Sequence, residues 1–469
     1  NTTADGNTAI GYEALTDNTT GANNVAVGDR ALDDNTTGEN NTAVGQHALG
    51  AISTGSYCTA MGQGALYNNT ANNNTAVGNH SMLSNTTGVN NVAVGHQALD
   101  ANTTAQESVA VGTYALTASN GSFNTALGYS TLAANSTGAS NTAVGYAALY
   151  ANTTASGNTA VGADALTANT TGDSNAALGY QALKANTTAS NNTAVGYQAL
   201  LSNTTGQYNT AVGKEALEAN TTYNYNTALG YEALKNVTAS DNTAVGGRAL
   251  QSSTTGGSNT AVGRDALRSH TTGNQNVAVG TYAGDAITTT NSATLVGYNA
   301  GSACTVHNLN AFGANACLNV TTGEQNSGFG DNALQACTTN SYNVAVGTNA
   351  LYSCTSDSNT AVGRYANMLL TTGSGNTSIG QGAGYHTTTG SSNCSLAGQP
   401  STATASNEAT IGSTNITALR CNQTSISSLS DRRDKTDIVD LPIGLDFINT
   451  LKPRKFKWQT RDGNIKDGS

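Results

Sequence analysis

A glycine recurs every 17 residues through most of this chain, and that spacing excludes an ordinary globular fold. In the stretch NTAVGYQALLSNTTGQY (Asn192–Tyr208) it closes the core N-T-A-V-G. It returns at Gly162, Gly179, Gly196, Gly213 and Gly230, and outward from Gly11 to Gly412 in about 25 copies, with occasional steps of 16. So short a unit can bury its apolar side only against its neighbours, so a tandem array of it stacks.

Within one copy the core alternates with period two. Thr193 and Val195 share one face, Ala194 and Gly196 the other. β-Branched side chains suit a packed sheet, whereas a nearly bare face lets a second backbone come close. The Ala199-Leu200 patch reads as a second short strand. It is too short, and its surroundings too rich in Gly, Asn and Thr, for the helix of a leucine-rich repeat. The pair between the two patches (Tyr197-Gln198, Lys214-Glu215, Arg264-Asp265) reads as solvent-facing rungs, and N-T-T-G as a turn. The expected fold is therefore all-β: a parallel β-solenoid of about 25 coils, two strands and two turns each, roughly 120 Å long at about 4.8 Å per coil. Aligned Asn and Thr would form ladders along it. A lone coil buries too little apolar surface to offset ordering its residues, so the bare Ala/Gly face is expected to pack against identical chains, in a homotrimer.

Only 10% of the 469 residues are charged, and the net charge of −10 argues against nucleic acid, which would require a basic stripe. No apolar run approaches the length of a membrane span. The chain begins at Asn1 in mid-pattern, as a fragment or processed product would. Seven cysteines are too scattered for a disulfide framework. Cys337 and Cys354 lie at one phase of adjacent repeats; they are within disulfide reach, but small apolar members of a ladder is the preferred reading.

NTAVGYQAL, NVAVGHQAL and SVAVGTYAL resemble the S-V-A-I-G-x-x-A repeat of the YadA-like head domain of trimeric autotransporter adhesins, over about residues 7–412. The resemblance implies left-handed parallel β-rolls, three chains side by side. The repeat here is slightly longer, and Thr often replaces the first apolar residue. From about Gly297 the pattern loosens (NAFG, SGFG, TSIG), giving a shaft over 1–383 and tapering repeats with a neck over 384–429.

At Ser430 the composition shifts to SDRRDKTDIVDLPIGLDFINTLKPRKFKWQTRDG, with clustered Lys and Arg and the only Trp, Trp458. A short helix is expected over about Pro442–Leu451 and a strand at Phe456–Trp458. Ser430-Asp431, Arg433, Lys435, Gly444-Leu445, Leu451-Lys452-Pro453 and Phe456-Lys457-Trp458 resemble the start of the intramolecular chaperone domain of endosialidases and other phage tail spikes and fibres. The resemblance implies a trimerising folding aid, truncated here to 430–469, that cuts itself off. Ser430 would be the nucleophile and Lys435 its general base. Asp434 stands where that family usually has an apolar residue. Near-identical coils can pair in many registers, and a terminal clamp that trimerises first would set the register.

No substrate-directed site stands out, and no cofactor or metal is called for. His47, His80, His96, His270, His307 and His386 are scattered and read as surface filler. Glu13, Glu215, Glu232 and Asp265 sit at the variable pair without a cleft, as solvated faces. Tyr12, Tyr146, Tyr180, Tyr197 and Tyr231 would stack on sugars or simply cover the surface. N-x-[ST] sequons at Asn18, Asn35, Asn85, Asn102, Asn152, Asn169, Asn186, Asn203 and Asn220 would be surface glycosylation acceptors in a suitable host, although turn chemistry alone explains them.

The expected function is a structural or adhesive fibre: the extracellular shaft of a phage or virus tail fibre, bound to itself and to a host receptor or glycan. The alternative is a cell-surface trimeric adhesin or glycosylated extracellular fibril. An ice-binding solenoid would need flat T-x-T ranks, and a depolymerase spike a carboxylate pair.

Overall fold

The computed structural model describes residues 4–396, 398 and 405–412, together with the backbone of 457–459 and 465–467. Contacts divide the chain into two units, Asn1–Ile416 and Thr417–Ser469. The first is the expected parallel β-solenoid. Its sheet has 25 strands of three residues, from β1 (Thr8–Ile10) to β25 (Ala409–Ile411). Each strand pairs in parallel with the strand of the next coil. Thus β12 (Thr193–Val195) meets β13 (Thr210–Val212) Thr to Thr, Ala to Ala and Val to Val. The 25 strands stack over about 115 Å at about 4.8 Å per step.

The two strand faces are the reverse of the expectation. Ala194 is fully buried, whereas Thr193 and Val195 are half-buried on the outside. The reason is volume. A 17-residue coil is narrow, and its interior already holds the strand alanine with Ala199 and Leu200, also fully buried, and the asparagines Asn192 and Asn203. No room remains for two β-branched side chains per strand. The bare face is therefore each chain's own core, and the face left to solvent is the Thr/Val one.

The Ala-Leu patch is not a second strand either. Residues 197–202 form a turn in which Gln198 (φ 54°) and Leu200 (φ 51°) are left-handed. The N–H groups of these two residues reach opposite neighbours, while that of Ala199 between them bonds to Gly196 in its own coil (3.4 Å). Gln198 donates back to the Tyr180 carbonyl (3.0 Å) and Leu200 donates forward to that of Ala216 (3.0 Å). The segment ladders as a strand would while remaining coiled. A left-handed leucine costs about 1–2 kcal/mol, and burial of its side chain, worth about 1.5–3 kcal/mol, offsets that cost. The marker glycine has no such freedom. Gly196 sits at φ +134°, and a Cβ there would lie 2.5 Å from the Gly213 carbonyl oxygen.

Two buried columns of asparagine join the coils. Asn192 accepts the Asn209 N–H on Oδ1 (2.9 Å) and donates through Nδ2 to the Gly206 carbonyl (2.8 Å). Asn203, from N-T-T-G, donates to Asn186 Oδ1 (3.0 Å) and to the Gly206 carbonyl (2.9 Å). Outside them, Thr204 Oγ1 donates to the Thr221 carbonyl (3.1 Å). The N-T-T-G column is unbroken asparagine from Asn135 to Asn220. It stops wherever an apolar residue takes the place. Ile52 follows Asn35 and Val237 follows Asn220, and in both cases the last Oδ1 is buried without a partner.

Beyond Asn220 the same column reads Val237, Ser253, His270, Ile287, Cys304, Val320, Cys337, Cys354, Leu370 and Thr387. Core volume is redistributed there too. Gly284 and Gly301 replace the turn leucine, and Leu295 of β18 (Thr294–Val296) fills the space, with Leu309 beside it near Gly301.

In the second unit, β26 (Lys457–Gln459) and β27 (Ile465–Asp467) form an antiparallel hairpin with Trp458 opposite Lys466. The strand expected at Phe456–Trp458 thus starts at Lys457 and runs one residue further. The helix expected over Pro442–Leu451 lies outside the described residues.

Candidate functional site

A rod of this kind presents faces rather than a cleft. The first face is the outer side of the sheet. The third residue of every strand is apolar and points outward, without one polar interruption from Ile10 to Ile411. Many are substantially exposed, among them Leu127, Leu178, Leu229 and Ile379 at 40–48%. Beside this column the first strand residues add Thr and Val. A continuous apolar stripe of this length far exceeds the patches a monomer leaves in water.

The second face carries the variable pair, outward as expected except at Asp265, whose fully buried carboxylate corrects the solvated-face reading. Tyr129 and Tyr146 stack at 5.6 Å and 7°, Tyr180 and Tyr197 at 5.5 Å and 20°, while Tyr12 and Tyr231 are exposed singly. The carboxylates are ion-paired. Glu13 meets Arg30 (2.8 Å), and Asp265 meets Arg248 (2.9 Å). Glu215 and Glu232, on neighbouring coils, share Lys235 at 2.6 and 3.3 Å. The hydrogen bond from Lys235 holds the Glu215 carboxyl below the usual range. An acid held ionised by an ammonium cannot donate the proton that glycoside cleavage needs.

Histidine is filler at most positions. His47 and His96 pack edge-on against Tyr67 and Tyr114, and His307 Nδ1 accepts the Asn291 N–H (2.9 Å). His270 is the exception and corrects the surface reading. It occupies the buried ladder, Nε2 lies 3.3 Å from Asn276 Nδ2, and burial pushes its pKa down to about 4. Among the described residues, no group of three or more His, Cys, Asp or Glu is placed to hold a metal ion, and no helix is long and apolar enough to cross a membrane.

The expectation of outward-facing sequons is corrected. Asn18, Asn35, Asn85, Asn102, Asn152, Asn169, Asn186, Asn203 and Asn220 are each at most 1% exposed, because their carboxamides build the inner ladder. The folded coil therefore withholds the nitrogen a glycan would be joined to. Cys337 and Cys354 are free thiols in the same column, donating to the carbonyls of Asn340 and Ser356. Burial pushes Cys337 up to about 12 and Cys304 up to about 11, so these thiols are unreactive near neutral pH.

Ser430, Lys435 and Asp434 lie outside the described residues. The family model that matches the chain falls on them: residues 430–468 match the chaperone of endosialidase. Comparison with curated proteins returned no match. Comparison with solved structures returned none either. The chain thus carries a parallel β-solenoid and a segment similar to the chaperone of endosialidase, a combination that fits a phage tail-fibre-like structural protein.

Proposed function

We propose that this chain is the shaft of a homotrimeric adhesive fibre of a phage or virus particle, extracellular, directed to a host-surface receptor or glycan, and matured by release of its carboxy-terminal chaperone. The observation that carries the reading is the apolar stripe, in a chain that also has the chaperone-like segment. Three copies related by a threefold axis would bury that stripe at their centre, a closed interface that leaves no open edge. The Ala/Gly flank has no part in it, being internal. Identical apolar columns pair equally well after a slip of one coil, so a chaperone that fixes the start of zippering answers a need this surface creates. Domain limits follow: shaft 1–383, tapering repeats and neck 384–429, chaperone start from 430.

The test is sedimentation of the full chain. Wild type should run as three chains. Leu178→Glu with Leu229→Glu, both on the outer column, should run as one while keeping its β-sheet circular dichroism. A monomeric wild type defeats the proposal. For maturation, Ser430 would be the nucleophile and Lys435 its base. A precursor carrying the entire chaperone should shed a discrete fragment that Ser430→Ala retains, whereas release from both would remove Ser430 from that role.

A further inference from the structure

The variable pair usually carries at least one long side chain. Its second position holds Gln97, Gln181, Gln198, Glu215 and Glu232, all left-handed like Gln198. In two adjacent coils that position shrinks to Ser130 (φ 52°) and Ala147 (φ 52°). A groove opens there, in two joined parts of about 400 and 360 Å³. Tyr129, Tyr146 and Tyr150 form its walls, with Tyr114 edge-on to Tyr129 at 6.0 Å, and Ser130 and Ala147 lie at its floor. A smaller hollow of about 180 Å³ appears where the same position is Gly64, beside Tyr67. A small residue at that position therefore accompanies both of these hollows, although a third, more acidic one of about 240 Å³ forms beside Glu13.

We propose that the Tyr129–Tyr150 groove binds a neutral oligosaccharide, which names the ligand class within the adhesive reading above and rests on that reading. Tyr150, half-exposed and in no ring pair, can set its face against the apolar C–H side of a pyranose ring, while the stacked Tyr129 and Tyr146 offer their edges, and the tyrosine, serine and threonine hydroxyls suit its alcohol groups. No Lys, Arg or His lines the groove, and its one carboxylate, Asp164, is paired with Lys184 at 3.2 Å. Nothing there would compensate an anionic sugar. Tyr129 and Tyr146 stand one coil apart, about 4.8 Å along the shaft, close to the repeat of a chain of sugar rings, so a short extended saccharide lies along the rod better than a compact ligand does.

The test fills the groove without touching its walls. Ser130→Gln with Ala147→Gln installs the side chain that Gln181 and Gln198 already carry in this backbone geometry, so the coil keeps its fold. The full chain and this variant are titrated against immobilised neutral hexasaccharides of glucose, N-acetylglucosamine and mannose, with heparin as the anionic arm. Wild type should bind at least one neutral probe, and both the filled variant and Tyr150→Ala should bind it about tenfold or more weakly. Absence of neutral binding, preference for heparin, or undiminished binding by the filled variant overturns the proposal. Sedimentation of the same samples separates the two readings. A trimer that binds none of the neutral probes defeats the groove alone, and a monomer defeats the fibre whatever the groove binds.

Discussion

The coils between Asn135 and Asn220 and those between Val237 and Thr387 share one backbone but differ in what fills their centre. In the first, every coil adds an asparagine that donates to the coil before it and accepts from the coil after, at 2.9–3.1 Å. In the second, that column is aliphatic, thiol, hydroxyl or imidazole, and two of its buried polar atoms are unpartnered, Ser253 Oγ and His270 Nδ1. Stacking therefore does not depend on the asparagines, which instead add cohesion and uniformity. A column of one residue type holds only while it is unbroken, because each break leaves an acceptor such as Asn220 Oδ1 buried and unanswered.

The largest expected effect should ignore that difference. Gly196→Ala and Gly330→Ala each force a Cβ against the next coil's backbone at φ +134° and +136°. Each should cost about 3–5 kcal/mol, read by hydrogen exchange of the flanking coils. Unequal losses would mean that the two regions differ in backbone and not merely in filling. Next comes Asn186→Ala, which strands Asn169 Oδ1 and opens a void, at about 2–4 kcal/mol. Cys337→Ala, losing only packing, should cost about 1–2 kcal/mol; parity between them would erase the distinction. Between neutral pH and about pH 4.5, acid should act chiefly on the second region. His270 has its folded pKa lowered from 6.5 to about 4, so the unfolded chain binds the extra proton between those values. Stability is full above pH 6.5 and falls towards pH 4, by up to about 3 kcal/mol. His270→Asn should flatten that slope in exchange measured at pH 7 and pH 4.5. The smallest effect is a gain. Val237→Asn would answer Asn220 Oδ1 and offer an acceptor to Ser253, adding about 1 kcal/mol; a loss there would show that the aliphatic filling is itself preferred.

Much of this was legible in the residues. The marker glycine gave the coil length, and its steps of 17 place Ala194 on Ala211 as observed. The inward face was not legible, because Thr-Ala-Val has a plausible apolar side either way and only the narrow coil decides between them. Leu200 misled for another reason: an Ala-Leu pair suggests extended backbone, and its left-handed turn is maintained by hydrogen bonds to coils 17 residues away. Asn203 looked like turn chemistry and is that, yet its repetition at one phase from Asn135 to Asn220 was also a sign of an interior ladder. The groove left a fainter mark, two small residues where Gln or Glu is usual.

Because every coil ends in the same acceptors and begins with the same donors, removing one whole repeat from the asparagine region brings equivalent edges back together. Reach is then a dial that duplication or loss of single repeats turns in steps of about 4.8 Å, leaving the cross-section untouched. A lineage could lengthen or shorten its grasp on a surface without redesigning anything that touches it.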